Sequence, residues 1–268
     1  MRFRFATWNV NAFRRLSGHA ALIRSVECDL LALQELTQTS YDNLAASGLF
    51  DWSAFSLTLR PPQPGEGRAR SLGCALFGRT PFTLSSFRLL ESVRLPERTL
   101  IATLETPSGP LTACSFHAPP GATWKAVKPQ TFVYIANWLV DHPQRVIFGM
   151  DANTPAADHP DSNKIRWHWV DEPVLLGHNA EHTLRDVFRT YLAAHPEELE
   201  EIRRVRPEGP LAISYDRGRL SGKFIPCRYD CICASPDLQV ERVEYLYDEG
   251  LQAGSDHALV IATIRCEG

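Results

Sequence analysis

The sequence lacks an excess of positive charge: its 28 lysines and arginines are outnumbered by 31 aspartates and glutamates, leaving a formal net charge of −3. That excludes a generally basic nucleic-acid coat, so any polyanion must be gripped locally. Long hydrophobic runs are missing too. Charges or prolines interrupt every apolar stretch short of the ~20 residues that span a bilayer, and no membrane association is expected. Residues 1–11 read as a strand that begins at once. They lack the charged start, apolar run and small-residue cleavage site of a secretory signal, and a cytoplasmic location is expected. There are seven cysteines, but not in paired zinc-ligand spacing: Cys227, Cys231 and Cys233 have no second pair, and Asp230 interrupts them. Reduced, buried thiols are the expectation. Internal repeats and long Ser/Gly linkers are absent as well, so residues 1–268 are read as one domain, a monomer by default.

What is present is strand after strand. Apolar runs of strand length recur at 3–8, 30–34, 72–77, 100–104, 111–116, 146–150, 229–234 and 259–264, which means large sheets. Residues 20–28, 130–140 and 184–194 instead repeat their apolar residues every three or four positions, as helices covering a sheet face do. Residues 60–70, rich in Pro, Gly and Arg, read as an exposed loop. The connections 156–181 and 197–226 are long and polar, and loops of that length in a compact domain are usually functional or disordered.

Polar residues cluster where the apolar runs end. In GMDANTP, Asp151 and Asn153 follow the run 146–150 two residues apart, so on an extended chain a carboxylate and an amide leave the strand end on one side; an Asx-rich turn before Pro155 is the other reading. In CRYDCI, Arg228 and Asp230 share one face while Tyr229, Cys231 and Cys233 take the other. An acid on an apolar strand wants a partner, and His257 in GSDHALV suits it, because a carboxylate on one imidazole nitrogen fixes the tautomer of the ring. Asp256, beside it, is then free to face a cation. Glu35 and Asn9 each end an apolar run with an oxygen donor. With Asp256 they form an all-oxygen set suited to Mg²⁺, with Mn²⁺ as a substitute, and poorly suited to zinc or iron. His117 stands at another strand end, just before Ala118, Pro119 and Pro120.

In the order TWNVN, LALQEL, SFHAPPG, GMDANTP, CRYDCI and GSDHALV, these segments span residues 7–260 and resemble the endonuclease/exonuclease/phosphatase superfamily. The resemblance implies an α/β fold: a four-layer α/β/β/α sandwich of two mixed sheets flanked by helices. It also implies a metal held chiefly by Glu35 with Asn9 and Asp256. Asp151 would orient or deprotonate the attacking water, Asn153 and His117 would bind phosphate oxygens, and His257 backed by Asp230 would contact the scissile group. Arg98 lies near where the family places a phosphate contact. The chain departs from the usual form at Met150, which separates Gly149 from Asp151.

The expected reaction is Mg-dependent hydrolysis of phosphodiester bonds, with DNA or RNA as the expected substrate. The alternative is a small phosphorylated metabolite or lipid headgroup, since one core serves many substrates. For nucleic acid, Lys164, Arg166 and Trp167, in a stretch that also holds His168 and Trp169, interleave cations with rings that can grip a backbone and stack bases. Arg228 joins them as an expected substrate contact.

Overall fold

The computed structural model describes residues 1–13, 16–142 and 145–267. Its strands are β1 (Arg2–Asn9), β2 (Leu30–Leu36), β3 (Trp52–Phe55), β4 (Gly73–Gly78), β5 (Thr83–Leu89), β6 (Thr99–Glu105) and β7 (Leu111–His117), then β8 (Val146–Asp151), β9 (Arg185–Asp186), β10 (Tyr215–Asp216), β11 (Pro226–Cys227), β12 (Asp230–Ala234), β13 (Leu238–Leu246) and β14 (Leu259–Cys266). They form two six-stranded sheets, ordered β13-β14-β1-β2-β4-β3 and β5-β6-β7-β8-β12-β9, beside a small β10-β11 pair. In each large sheet a parallel pair, β1 with β2 or β7 with β8, sits among antiparallel neighbours. Both sheets are therefore mixed.

Side-chain alternation assigns the layers. Along β1, Phe3 and Phe5 point to the core between the sheets, while Ala6 and Trp8 point to an outer core. Along β8, Ile147 is inward, and Val146, Phe148 and Met150 are outward. The first sheet's outer face is covered by α1 (Leu16–Val26) and α2 (Gln38–Ala45), which bring Ile23, Val26 and Leu44. After the short helices α3 (Ser56–Leu59) and α4 (Gly121–Trp124), α5 (Val127–Asp141) and α6 (Pro173–Leu176) cover the second sheet with Phe132, Ile135, Trp138 and Leu175. The result is a sandwich of two sheets flanked by helices. No helix among the described residues is long and apolar enough to cross a membrane.

Several elements depart from the sequence pattern for local reasons. The helix expected over 184–194 starts later, as α7 (Val187–Ala194), because Arg185 and Asp186 form β9 and the Asp186 carboxylate caps the helix by accepting from Phe188 N and Arg189 N. The connection 197–226 holds α8 (Pro196–Val205), whose apolar stripe is too narrow to stand out among its glutamates and arginines. β5 and β13 have mixed polar faces without a continuous apolar run. The seven cysteines are all buried and unbridged.

Candidate active site

The inward face of each sheet turns polar toward one rim. Phe5, Thr7 and Asn9 succeed one another on β1, Ser115 and His117 follow Ala113 on β7, and Asp151 follows Ile147 and Gly149 on β8. Parallel pairs send their C-terminal ends to the same edge, and antiparallel β12 and β14 begin there, bringing Asp230 and, just before β14, Asp256 and His257. Gln34 on β2 bridges the sheets just behind, donating to Thr7 Oγ1 (3.1 Å) and Ser115 Oγ (3.0 Å). Gly149 allows the approach: a Cβ there would stand 2.7 Å from Thr7 Cβ.

Asp151, 1% exposed, is the hub. Its Oδ2 accepts from Asn9 Nδ2 (2.8 Å) and its Oδ1 from the backbone N–H of Asn153 (3.0 Å). His257 Nε2 lies 3.9 Å from Oδ2, while His257 Nδ1 is held by Asp230 Oδ2 at 2.8 Å. Burial raises the Asp151 carboxyl to about 6, with the nearby charge of His257 opposing the rise and Asp230 adding to it. Burial works against a charged His257, but Asp230 first and Asp151 next outweigh it and raise the imidazole to about 10. Asp230 is itself fixed from behind: Ser214 Oγ accepts from the backbone N–H groups of Tyr229 and Asp230.

His117 faces the same space. Arg98 Nη1 lies 2.8 Å from His117 Nδ1, and since a guanidinium has no acceptor, Nδ1 must accept and Nε2 carries the proton. That Nε2 points at Glu35 Oε1 (3.4 Å) and Asp151 Oδ2 (3.6 Å). Burial, then the charges of Arg98 and His257, keep the ring well below its ordinary range and therefore neutral. Glu35 reaches the rim by an irregularity. Leu33 and Leu36 both enter the outer core although three apart, because the β2–β4 register shifts between them and Glu35 adopts φ 59°. Such left-handed backbone is costly for a non-glycine residue and is characteristic of functional sites; Asn153 shares it at φ 49°.

Glu35 is held above the ordinary carboxylate range, by burial first and the Asp151 charge second. Crowded carboxylates with amide oxygens beside them are what a hard divalent cation neutralises. Asp151, Asp230 and His257 also bring ligand-capable atoms within 4.8 Å of one another, an acidic and histidine cluster able to hold a metal. Within that trio His257 Nδ1 is already committed to Asp230, so the oxygen donors suit a cation better. Asp256 stands at the rim, its Oδ1 accepting from Asn11 Nδ2 (2.9 Å).

Four expected substrate contacts are placed elsewhere. Arg228 is 6% exposed and grips Asp186 through two 2.7 Å bonds, with its Nε donating to Tyr245 Oη; it ties the turn between β11 and β12 to the β9 residue that caps α7 and to β13, so its guanidinium is spent on structural partners. Lys164 and Arg166 are exposed and Trp167 half-buried, with none of them lining the hollow beside Asn153. The reason is local: the backbone of Arg166 pairs with Ala157, and Glu172 Oε2 accepts from the N–H groups of His168 and Trp169, turning those two residues into the hollow instead. Asn11 and Ser255 were not anticipated. Asn11 N–H donates to Asn9 Oδ1, and Ser255 Oγ donates to Asn9 O while accepting from His257 N–H. The second Asn of TWNVN was the available signal for the first.

Comparison with known proteins gives the family. The sequence matches the profile of the Endonuclease/Exonuclease/phosphatase family over residues 6–257. No curated protein matches it at a significant level. Among solved structures, D. rerio TDP2 complexed with a single-strand DNA product superposes with a TM-score of 0.67 at 16% identity, covering 98% of this chain and 99% of that one. The 3' phosphatase NExo from Neisseria, bound to a product DNA hairpin, gives 0.65 at 21% identity over 98% and 99%. An endonuclease/exonuclease/phosphatase from Bacteroides vulgatus gives 0.68 at 14% identity over the full length of both chains. With its profile matched across nearly the whole chain and its polar strand ends gathered at one rim, this protein belongs to the endonuclease/exonuclease/phosphatase family of phosphoric ester hydrolases.

Proposed function

We propose that this chain is a nuclease that cleaves phosphodiester bonds of DNA or RNA with Mg²⁺, and that Mn²⁺ can replace it. One observation carries the reading: Asp151, His117, Glu35 and the His257–Asp230 pair surround one space, each held by a partner that fixes its direction. The DNA held by two structural relatives supports nucleic acid as the substrate class.

In this reading Asn9, Glu35 and Asp256 hold the cation. When bound, the cation supplies positive charge to the phosphoryl and leaving oxygens. Asp151, oriented by Asn9 and the Asn153 N–H, aligns the attacking water and takes its proton. His257, kept charged by Asp230, and neutral His117, with its N–H directed by Arg98, donate to the oxygens where negative charge develops. The Asn153 amide binds a further oxygen. The groups are preorganised, so they need little rearrangement when that charge appears.

The test is turnover of supercoiled DNA, single-stranded DNA, RNA, abasic duplex, inositol phosphates and bis-p-nitrophenyl phosphate, with Mg²⁺ and after EDTA treatment. Cleavage of a nucleic acid, abolished by EDTA and restored by Mg²⁺ or Mn²⁺, is expected. Turnover of inositol phosphate alone would transfer the chain to the small-substrate alternative, and full activity after metal stripping would overturn the mechanism.

A further inference from the structure

Beside the acids and imidazoles of the cleft, the chain builds a second cluster of charges that none of the assigned roles uses. In the loop at 60–70 most residues are exposed, but Arg60, Glu66 and Arg70 turn inward. There they close a quartet of alternating charge with Glu97, which is 0% exposed. Arg60 pairs with Glu66 (2.5 Å), Glu66 with Arg70 (3.8 Å), Arg70 with Glu97 through both Nε and Nη2, and Glu97 with Arg60 again (3.6 Å). Gln63 N–H donates to Glu66 Oε2 (2.8 Å), so the loop backbone is folded onto the quartet as well.

The quartet joins the two sheets at the catalytic rim. The loop runs into β4, whose first residue, Gly73, pairs with Leu36 beside Glu35, and whose second, Cys74, donates its thiol to Arg98 O (3.3 Å). Glu97 belongs to the 3-10 turn Pro96–Arg98 that leads into β6, and its neighbour Arg98 carries the guanidinium that lies 2.8 Å from His117 Nδ1. The bonds of a 3-10 turn are poorly aligned, so its direction depends on what holds it from outside. A guanidinium fork on a carboxylate supplies that, because it fixes direction as well as distance. The acids whose charge reaches the buried Arg98 are Glu35, Glu97 and Asp151. Glu35 and Asp151 stand in the cleft and draw the guanidinium toward themselves.

We propose that Glu97 is a positioning residue for the hydrolytic site, with Arg60 and Arg70 as its anchors. The quartet holds the Pro96–Arg98 turn so that Arg98 stays against His117 Nδ1 and the imidazole keeps its proton on Nε2, facing the phosphate. This rests on the role of His117 in the nuclease reading. Without the Glu97 charge the turn loses its anchor, and only the cleft acids draw on Arg98. His117 then loses the donor at Nδ1 and can take its other tautomer, which turns a lone pair instead of an N–H toward the oxygen where negative charge develops.

The test measures kcat and KM with Mg²⁺ on a single-stranded DNA and on the RNA of the same sequence, using whichever the wild type cleaves. Glu97→Gln, which keeps the shape and removes the charge, is expected to lower kcat roughly 10- to 100-fold, the usual effect of losing an orienting partner, with KM within about 2-fold of wild type. Arg70→Met, which breaks the quartet from the loop side, should do the same. In a His117→Ala background neither change should lower kcat further, whereas a merely structural role would cost the same factor in both backgrounds. Long-range proton–nitrogen NMR at slightly alkaline pH should show His117 protonated at Nε2 in the wild type and as a mixture of tautomers in Glu97→Gln. Folding is checked by circular dichroism; should Glu97→Gln fail to fold, Arg70→Met, at a side chain 16% exposed, carries the test. Wild-type kcat in the single variants, or an equal fold-drop with and without His117, overturns the positioning role and leaves the nuclease reading intact. Wild-type kcat in His117→Ala overturns the role of His117 and this inference with it, and failure to cut either nucleic acid overturns the nuclease reading as well.

Discussion

Replacing Arg228 with methionine tests whether this cation is structural, as its burial indicates, or a substrate contact, as its position beside Asp230 suggested. The guanidinium makes two 2.7 Å bonds to Asp186, a 2.8 Å bond to Tyr245 Oη, and lies over the rings of Phe188 (5.5 Å) and Tyr245 (5.6 Å). Removing one partner of such a pair strands the other's charge at a cost of about 3–5 kcal/mol. For a chain of this size that lowers the melting temperature by about 10 °C. Asp186→Asn, which keeps the oxygen that caps α7, should recover part of the loss in the double variant, because the stranded charge is gone. The pH dependence has a definite sign. Burial pushes the Asp186 carboxyl up, but Arg228, with Arg189 behind it, more than reverses this and holds it below the ordinary carboxylate range. The pair's contribution is therefore fully present above an unfolded value of ~3.9 and is lost as the pH falls through the lower, folded value. Thermal melts monitored by circular dichroism should show the gap between wild type and Arg228→Met widest near about pH 8 and shrinking as the pH falls, because the Asp186 carboxyl of the variant, pushed up by burial with Arg228 gone, takes its proton above the ordinary carboxylate range and is no longer a stranded charge. A variant that melts like wild type but shows a raised KM for a phosphodiester would refute this reasoning and return Arg228 to the cleft.

Asp151→Asn and His257→Ala should each lower kcat by roughly 100- to 10,000-fold, the usual worth of a positioned acid or base, with unchanged far-ultraviolet circular dichroism. Wild-type turnover in either variant would remove that residue from the chemistry. Gly149→Ala places a Cβ within 3 Å of Thr7 and Phe5 on the facing sheet. Overpacking of this kind costs about 1–3 kcal/mol, read as a lowered melting temperature; a wild-type melt would mean that the sheets do not meet as closely as described.

Period-two alternation is a property of the chain alone, and it determined much of this protein. It put Asn9, His117, Asp151 and Asp230 at strand ends, and six ordered segments sufficed to indicate the family, the two-sheet sandwich and the hydrolytic chemistry. Alternation says which face a side chain takes, but not what that face meets. That Gly149 brings the sheets together, that Arg98 sets the His117 tautomer, and that Lys128 pairs with Glu172 under the Asn153 turn are contacts between residues 19 to 142 positions apart. Only the tertiary structure decides these. The same holds where local pattern misled. Arg228 shares a face with Asp230, yet a carboxylate 42 positions away on β9 claims it, because a buried guanidinium must be paired. Glu35 reaches the rim only through a register shift against β4, which no reading of β2 by itself can register. In the stretch holding Lys164 and Trp169, composition identified an aromatic and basic segment, but the hydrogen bonds of Glu172 selected which of its side chains face the cleft.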